Sequence, residues 1–157
     1  MIKIGDSLPN VSFSLLTADG ASNPTTADIF AGKKVVLFAV PGAFTPTCSA
    51  SHLPGYVVHA DTIKAKGVDS IVCLSVNDSF VMKAWGDASN AENIVMLADG
   101  GAAFSKAIGL QMETGDFGGV RSQRYAMVVD NGVVTQLNVE EVGAFEVSAA
   151  EAILETL

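Results

Sequence analysis

Two runs in this chain are apolar on both faces of an extended strand. KVVLFAV (Lys34 to Val40) and SIVCLSV (Ser70 to Val76) are rich in β-branched residues and lack the polar alternation of a half-wet sheet. Such runs are central strands covered by helices on both sides. Thr45 to Lys66 lies between them and reads as a helix disturbed at Pro54-Gly55, because an interior proline removes a helical hydrogen bond.

The rest of the chain fills in around that core. VSFSLL (Val11 to Leu16) reads as a strand, SFVMKAWGDA (Ser79 to Ala88) as a helix, IVMLAD (Ile94 to Asp99) as a short strand, and AAFSKAIG (Ala102 to Gly109) as a helix stopped by its glycine. RYAMVVD and VVTQLNV flank Asn131-Gly132, a pair that accepts the positive φ angles of a two-residue hairpin turn. Ser148 to Glu151 fits a capping box, and Ala150, Ile153, Leu154 and Leu157 fall on one face of a closing helix. Strands alternating with helices, then a hairpin and a last helix, describe an α/β fold: a mixed central sheet flanked by helices. With 157 residues and neither repeat nor linker, residues 1–157 are expected to share one domain.

Charge removes several partners. The net charge of −8 is the wrong sign for nucleic acid or an anionic membrane, both of which need a basic footprint. The amino terminus lacks the apolar core of a signal peptide, and Val35 to Val40 is too short to span a bilayer, so a cytoplasmic location is expected. With 49% hydrophobic residues and a mean hydropathy of +0.39, the chain is apolar enough that part of its surface is expected to meet another subunit.

The two cysteines, Cys48 and Cys73, form no C-x-x-C and no zinc-type pairing with histidine. Cys73 sits mid-strand between Val72 and Leu74 and reads as packing. Cys48 follows a strand end in PGAFTPTCSASHLPG (Pro41 to Gly55), among Thr, Ser and Pro. Thr45 precedes a proline and is pushed toward extended backbone, while Pro46 is pre-set for a first helical turn. Thr45 is then the N-cap, Pro46 N1 and Cys48 N3. A sulfur there faces unpaired backbone N–H groups and the positive end of the helix dipole, which favour thiolate over thiol. An accessible, reactive Cys48 is the expectation, against the plainer reading of a small buried hydrophobe.

Pro41, Thr45 and Cys48 reproduce a P-x-x-x-T-x-x-C signature, and the chain here resembles the peroxiredoxins, in particular their type V branch. The likeness continues through CLSVND (Cys73 to Asp78), Ala84-Trp85, Leu97 to Asp99, RYAMVVDNGVV and Leu137 to Glu140. The resemblance implies a thioredoxin-like fold, a homodimer, and antioxidant reduction of hydrogen peroxide and alkyl hydroperoxides through a sulfenic acid on Cys48. It implies that Thr45 presents its hydroxyl to peroxide and sulfur, that Pro41 shields the thiolate, and that Arg124 is the pocket arginine. Arg121 is its competitor and reads as a supporting or surface charge. Phe44 and Phe117 would form an apolar rim touching substrate, with Gly115 to Val120 a flexible loop beside it.

The chain departs from many type V proteins in having no cysteine after Cys73. A one-cysteine cycle is therefore expected, with glutathione or glutaredoxin as reductant, glutathione as co-substrate, and no bound cofactor or metal. Thioredoxin is the alternative reductant. Three rivals stay open: a cysteine hydrolase using Cys48 and His52, a zinc site from Cys48, His52, His59 and Cys73, and a non-catalytic interaction domain. His52 reads otherwise as a hydrogen-bonded packing residue and His59 as a surface or interface one.

Overall fold

The computed structural model describes residues 1–157. A short hairpin of β1 (Leu15–Thr17) and β2 (Gly20–Ser22) leads through α1 (Thr26–Phe30) into β3 (Lys34–Val40). After a π-helical turn at Cys48–His52 come α2 (Leu53–Ala65), β4 (Ser70–Ser75), α3 (Ser79–Ala88), β5 (Val95–Ala98) and α4 (Ala103–Ala107). A small hairpin of β6 (Gln111–Glu113) and β7 (Val120–Ser122) precedes β8 (Tyr125–Asp130), β9 (Val133–Val139) and α5 (Ala150–Leu154).

Five strands form one mixed sheet in the order β5-β4-β3-β8-β9, with β3, β4 and β5 parallel and β8 and β9 antiparallel to their neighbours. The doubly apolar runs land at its centre because each feeds two cores at once. Val36, Phe38 and Val40 of β3 join Cys48, Leu53, Tyr56, Trp85 and Ile153 on one face. Val35, Leu37 and Ala39 join Phe13, Phe30, Phe104 and Tyr125 on the other. Alternate side chains of a strand point to opposite faces, so a run with water on neither side has no polar position to offer.

The Asn131-Gly132 turn forms as expected, with φ of 48° and 81° at the two residues, and a bulge between Val128 and Val129 adjusts the ladder behind it. Gly109, at φ 72°, ends α4. Other elements differ from expectation. The predicted strand Val11 to Leu16 is mostly not one: only Leu15–Thr17 makes a ladder, while Ser12 and Ser14 make single bridges to Thr25 and Ala98 as the segment crosses the sheet edge. Gly115 to Val120 closes the β6–β7 hairpin, which short polar strands did not announce.

Two helix termini are also corrected. The disturbance in the long helix lies one turn before Pro54: Leu53 N donates to Cys48 O, five residues back, and Pro54 sits in the first turn of α2. A proline lacks the N–H that the preceding turn needs, and a π turn absorbs the mismatch. The capping box at Ser148 is not made. Ala149 occupies the cap of α5 with no side-chain bond, and Ser148 Oγ donates to Glu140 Oε2 at 2.6 Å instead. The apolar face of α5 packs as read, with Ala150 and Ile153 buried and Leu154 and Leu157 beside them.

Candidate active site

The segment after β3 builds the site. Phe44 takes a left-handed backbone, φ 62°, which reverses the chain and costs a non-glycine residue roughly 1–2 kcal/mol. Such strain gathers at functional sites. Thr45 follows, its carbonyl accepting from Ser49 N at 2.9 Å to open the helix, so Cys48 does lie in the first turn. The Thr45 hydroxyl caps no backbone group. Its Oγ1 lies 2.7 Å from Gly42 O and 2.9 Å from Cys48 Sγ.

A second donor reaches the sulfur from across the sheet. Arg124, one residue before β8, directs its guanidinium to Cys48 Sγ at 3.1 Å and to His52 Nδ1 at 2.8 Å. A guanidinium only donates, so His52 Nδ1 is an acceptor and the ring proton sits on Nε2, where it donates to Ser148 O at 3.0 Å. His52 is fully buried among Phe38, Tyr56 and Phe145, with ring centroids at 5.0, 5.7 and 5.0 Å. Burial and the Arg124 charge lower its pKa to about 3, and the ring is neutral.

That arrangement disposes of a His52 base for Cys48, since both ring nitrogens are engaged elsewhere. His59 lies apart, paired with Glu151 at 3.2 Å. Cys73 is wholly buried in β4, and burial pushes its thiol pKa well above the ordinary value. Cys48 itself has 0% exposure, so the expectation of an open thiol is corrected: the sulfur is turned inward and belongs to the apolar core on that face of the sheet.

Around the site, Arg121 donates to Gly118 O at 3.1 Å and Pro41 O at 3.4 Å, tying the β6–β7 hairpin to the loop as a supporting charge. Asn77 Oδ1 accepts from Ala43 N at 3.0 Å, and Trp85 Nε1 donates to Ser49 Oγ at 3.0 Å. A cavity of about 250 Å³ is lined by Pro41, Thr47, Met112, Gln123, Arg124 and Glu140 to Ala144. Neither Phe44 nor Phe117 lines it. Phe44 is 55% exposed with its ring 6.4 Å from Trp85, and Phe117 is 80% exposed at the hairpin tip. Sequence reasoning placed Pro41, Thr45, Cys48 and Arg124 together, and missed the links from Arg124 through His52 and Ser148 to Glu140. The only sequence signal for them was the i,i+4 spacing of Cys48 and His52.

The chain as a whole has counterparts among known proteins. The Redoxin family model matches residues 3–154. The chloroplastic peroxiredoxin-2E-2 of Oryza sativa subsp. japonica is 50% identical over 99% of this chain and 72% of its own length, and peroxiredoxin-2D of Arabidopsis thaliana 46% identical over 99% and 98%. A crystal structure of reduced Prx3 from Vibrio vulnificus in complex with hydrogen peroxide matches with a TM-score of 0.97 and 65% identity, covering 99% of each chain. The thioredoxin-like α/β fold expected from the resemblance is the fold found. Similarity along nearly the whole length shows that the chain belongs to the peroxiredoxin family.

Proposed function

We propose that this peroxiredoxin reduces hydrogen peroxide and alkyl hydroperoxides in a one-cysteine cycle, with Cys48 as nucleophile and glutathione, alone or with glutaredoxin, as reductant. The convergence of Thr45 Oγ1 and Arg124 on Cys48 Sγ carries the reading. The Cys48 thiolate attacks one peroxide oxygen, the O–O bond breaks, and the leaving alkoxide or hydroxide takes a proton. The products are alcohol or water and a Cys48 sulfenic acid. Fixed donors stabilise charge that grows only in the transition state, which is where a rate gain originates. Pro41, on the cavity wall, keeps water off the sulfur.

The sulfenic acid then condenses with a glutathione thiol, releasing water, and a second thiol displaces Cys48 from the mixed disulfide. Cys73, the only other cysteine, is sealed in β4, which argues against an internal partner. Because Cys48 is itself buried, the turn around Thr45 opens to admit the peroxide and, more widely, the glutathione thiol. The reaction needs no bound cofactor. Exposed Phe44, Phe80 and Phe117 support a homodimer.

One equivalent of hydrogen peroxide should convert Cys48 alone to sulfenate by mass spectrometry, and Cys73→Ser should leave turnover with glutathione intact. Slow, indifferent oxidation of both cysteines would remove the peroxidase reading. Turnover supported by thioredoxin but not by glutathione would replace the reductant.

A further inference from the structure

The Arg124 guanidinium makes no ion pair with a carboxylate, although Glu140 is its neighbour in the sheet, Glu140 N donating to Arg124 O at 3.0 Å. One oxygen of the Glu140 carboxylate is committed elsewhere. Its Oε2 accepts from Glu146 N at 2.6 Å, Ser148 N at 2.9 Å and Ser148 Oγ at 2.6 Å, closing the loop between them over an 8% exposed side chain. Those bonds orient the Ser148 peptide, whose carbonyl accepts from His52 Nε2 at 3.0 Å and Tyr56 Oη at 2.8 Å. His52 Nδ1 is thereby left as the acceptor that holds Arg124 NH1 at 2.8 Å, while NH2 is free for the sulfur. The same loop supplies Phe145, whose ring packs on His52 at 5.0 Å and lies 5.9 Å from the guanidinium carbon.

We propose that Glu140 is a positioning residue for Arg124, acting through Ser148 and His52 to keep the guanidinium on Cys48 with its charge unpaired. The inference rests on the peroxidase reading above. A carboxylate this close has two ways to act on an arginine: it neutralises the arginine directly, or it is occupied by other donors and fixes it at a distance. Four buried or nearly buried groups, Glu140, Ser148, His52 and Tyr56, are arranged for the second. Glu140 Oε2, Ser148 Oγ, both His52 ring nitrogens and Tyr56 Oη are all engaged, so that each hydrogen bond fixes the role of the next. Exchanging the charged acceptor for an amide weakens the charge-assisted hold on Ser148, and the His52 ring and Arg124 lose part of their common orientation.

The test is a double-mutant cycle on the second-order rate of Cys48 oxidation by hydrogen peroxide, followed by fluorescence of Trp85, the single tryptophan. Glu140→Gln should slow oxidation about tenfold in the native background and less than about twofold in an Arg124→Lys background, where the group being positioned has changed. The His52 ring 15N shifts, which report an Nε2–H tautomer in the native chain, should move in Glu140→Gln. Should Glu140→Gln fail to fold, Ser148→Ala, which keeps the carbonyl and loses one donor, should show the same dependence on background with a smaller effect. Equal slowing in both backgrounds, native rates and ring shifts in Glu140→Gln, or failure of both variants to fold would reduce Glu140 to a structural role and overturn the proposal. If the native chain itself is not oxidised rapidly at Cys48, the peroxidase reading fails first and the inference with it.

Discussion

Thr45 has one hydroxyl proton and two acceptors within reach, Gly42 O and Cys48 Sγ. With a protonated thiol both contacts are satisfied, the S–H donating to Oγ1 and the hydroxyl donating to Gly42 O. Once the sulfur is a thiolate, the hydroxyl has to turn to it and release Gly42 O. The residue thus exchanges a hold on the loop for a hold on the sulfur as the proton leaves. Thr45→Val keeps the shape and removes the proton, and should slow the reaction of Cys48 with hydrogen peroxide about hundredfold, in line with the loss of one transition-state donor. Thr45→Ser should recover most of that rate, with stopped-flow fluorescence of Trp85 as the readout.

At the scale of elements, the π turn at Cys48–His52 is what lets one helix carry both the sulfur and the histidine. Residues four apart in an α-helix lie on one face, and widening the turn shifts the direction in which each points. Here both Cys48 and His52 meet the Arg124 guanidinium, Cys48 also reaching Thr45 and His52 also reaching Ser148. Helix α3 supports the turn from outside through Trp85 and Ser49. Its own start depends on Asp78, whose Oδ1 accepts from Val81 N at 2.9 Å. Asp78→Ala should cost about 1 kcal/mol in urea unfolding while changing the peroxide rate less than about twofold, because the cap stabilises a helix that only buttresses the site.

For the whole molecule, acid sensitivity follows from the same buried array. The folded His52 takes up a proton only near pH 3, whereas the unfolded ring does so near 6.5. Between those values the unfolded state binds the extra proton, so stability falls as pH drops, by at most about 1.4 kcal/mol per pH unit. Burial works to raise the Glu140 pKa, but the donors from Ser148, Glu146 and Val147 outweigh it and hold the carboxyl below its ordinary 4.5. Its stabilisation is present above the unfolded value and is lost as pH falls through the folded one, so it acts in the same direction at lower pH. Urea midpoints measured from pH 7.5 to 5 should therefore decline in the native protein and stay nearly level in His52→Gln, whose amide can still accept from Arg124 and donate to Ser148.

What the sequence determined by itself is local. Proline fixed the start of the helix and put Cys48 in its first turn, Asn131-Gly132 fixed the hairpin, and two runs without polar positions fixed the middle of the sheet, because φ/ψ sterics and side-chain alternation act over a few residues. The β6–β7 hairpin and the π turn were not legible, being short or set by a mismatch that neighbours resolve. Only the tertiary structure decided that the sulfur is buried, and that Arg124, His52 and Ser148 stand in line behind it. Those partners are 76, 72 and 96 residues apart in successive pairs, and the register of β8 against β3 and of β9 against β8 is what brings them within 3.1 Å.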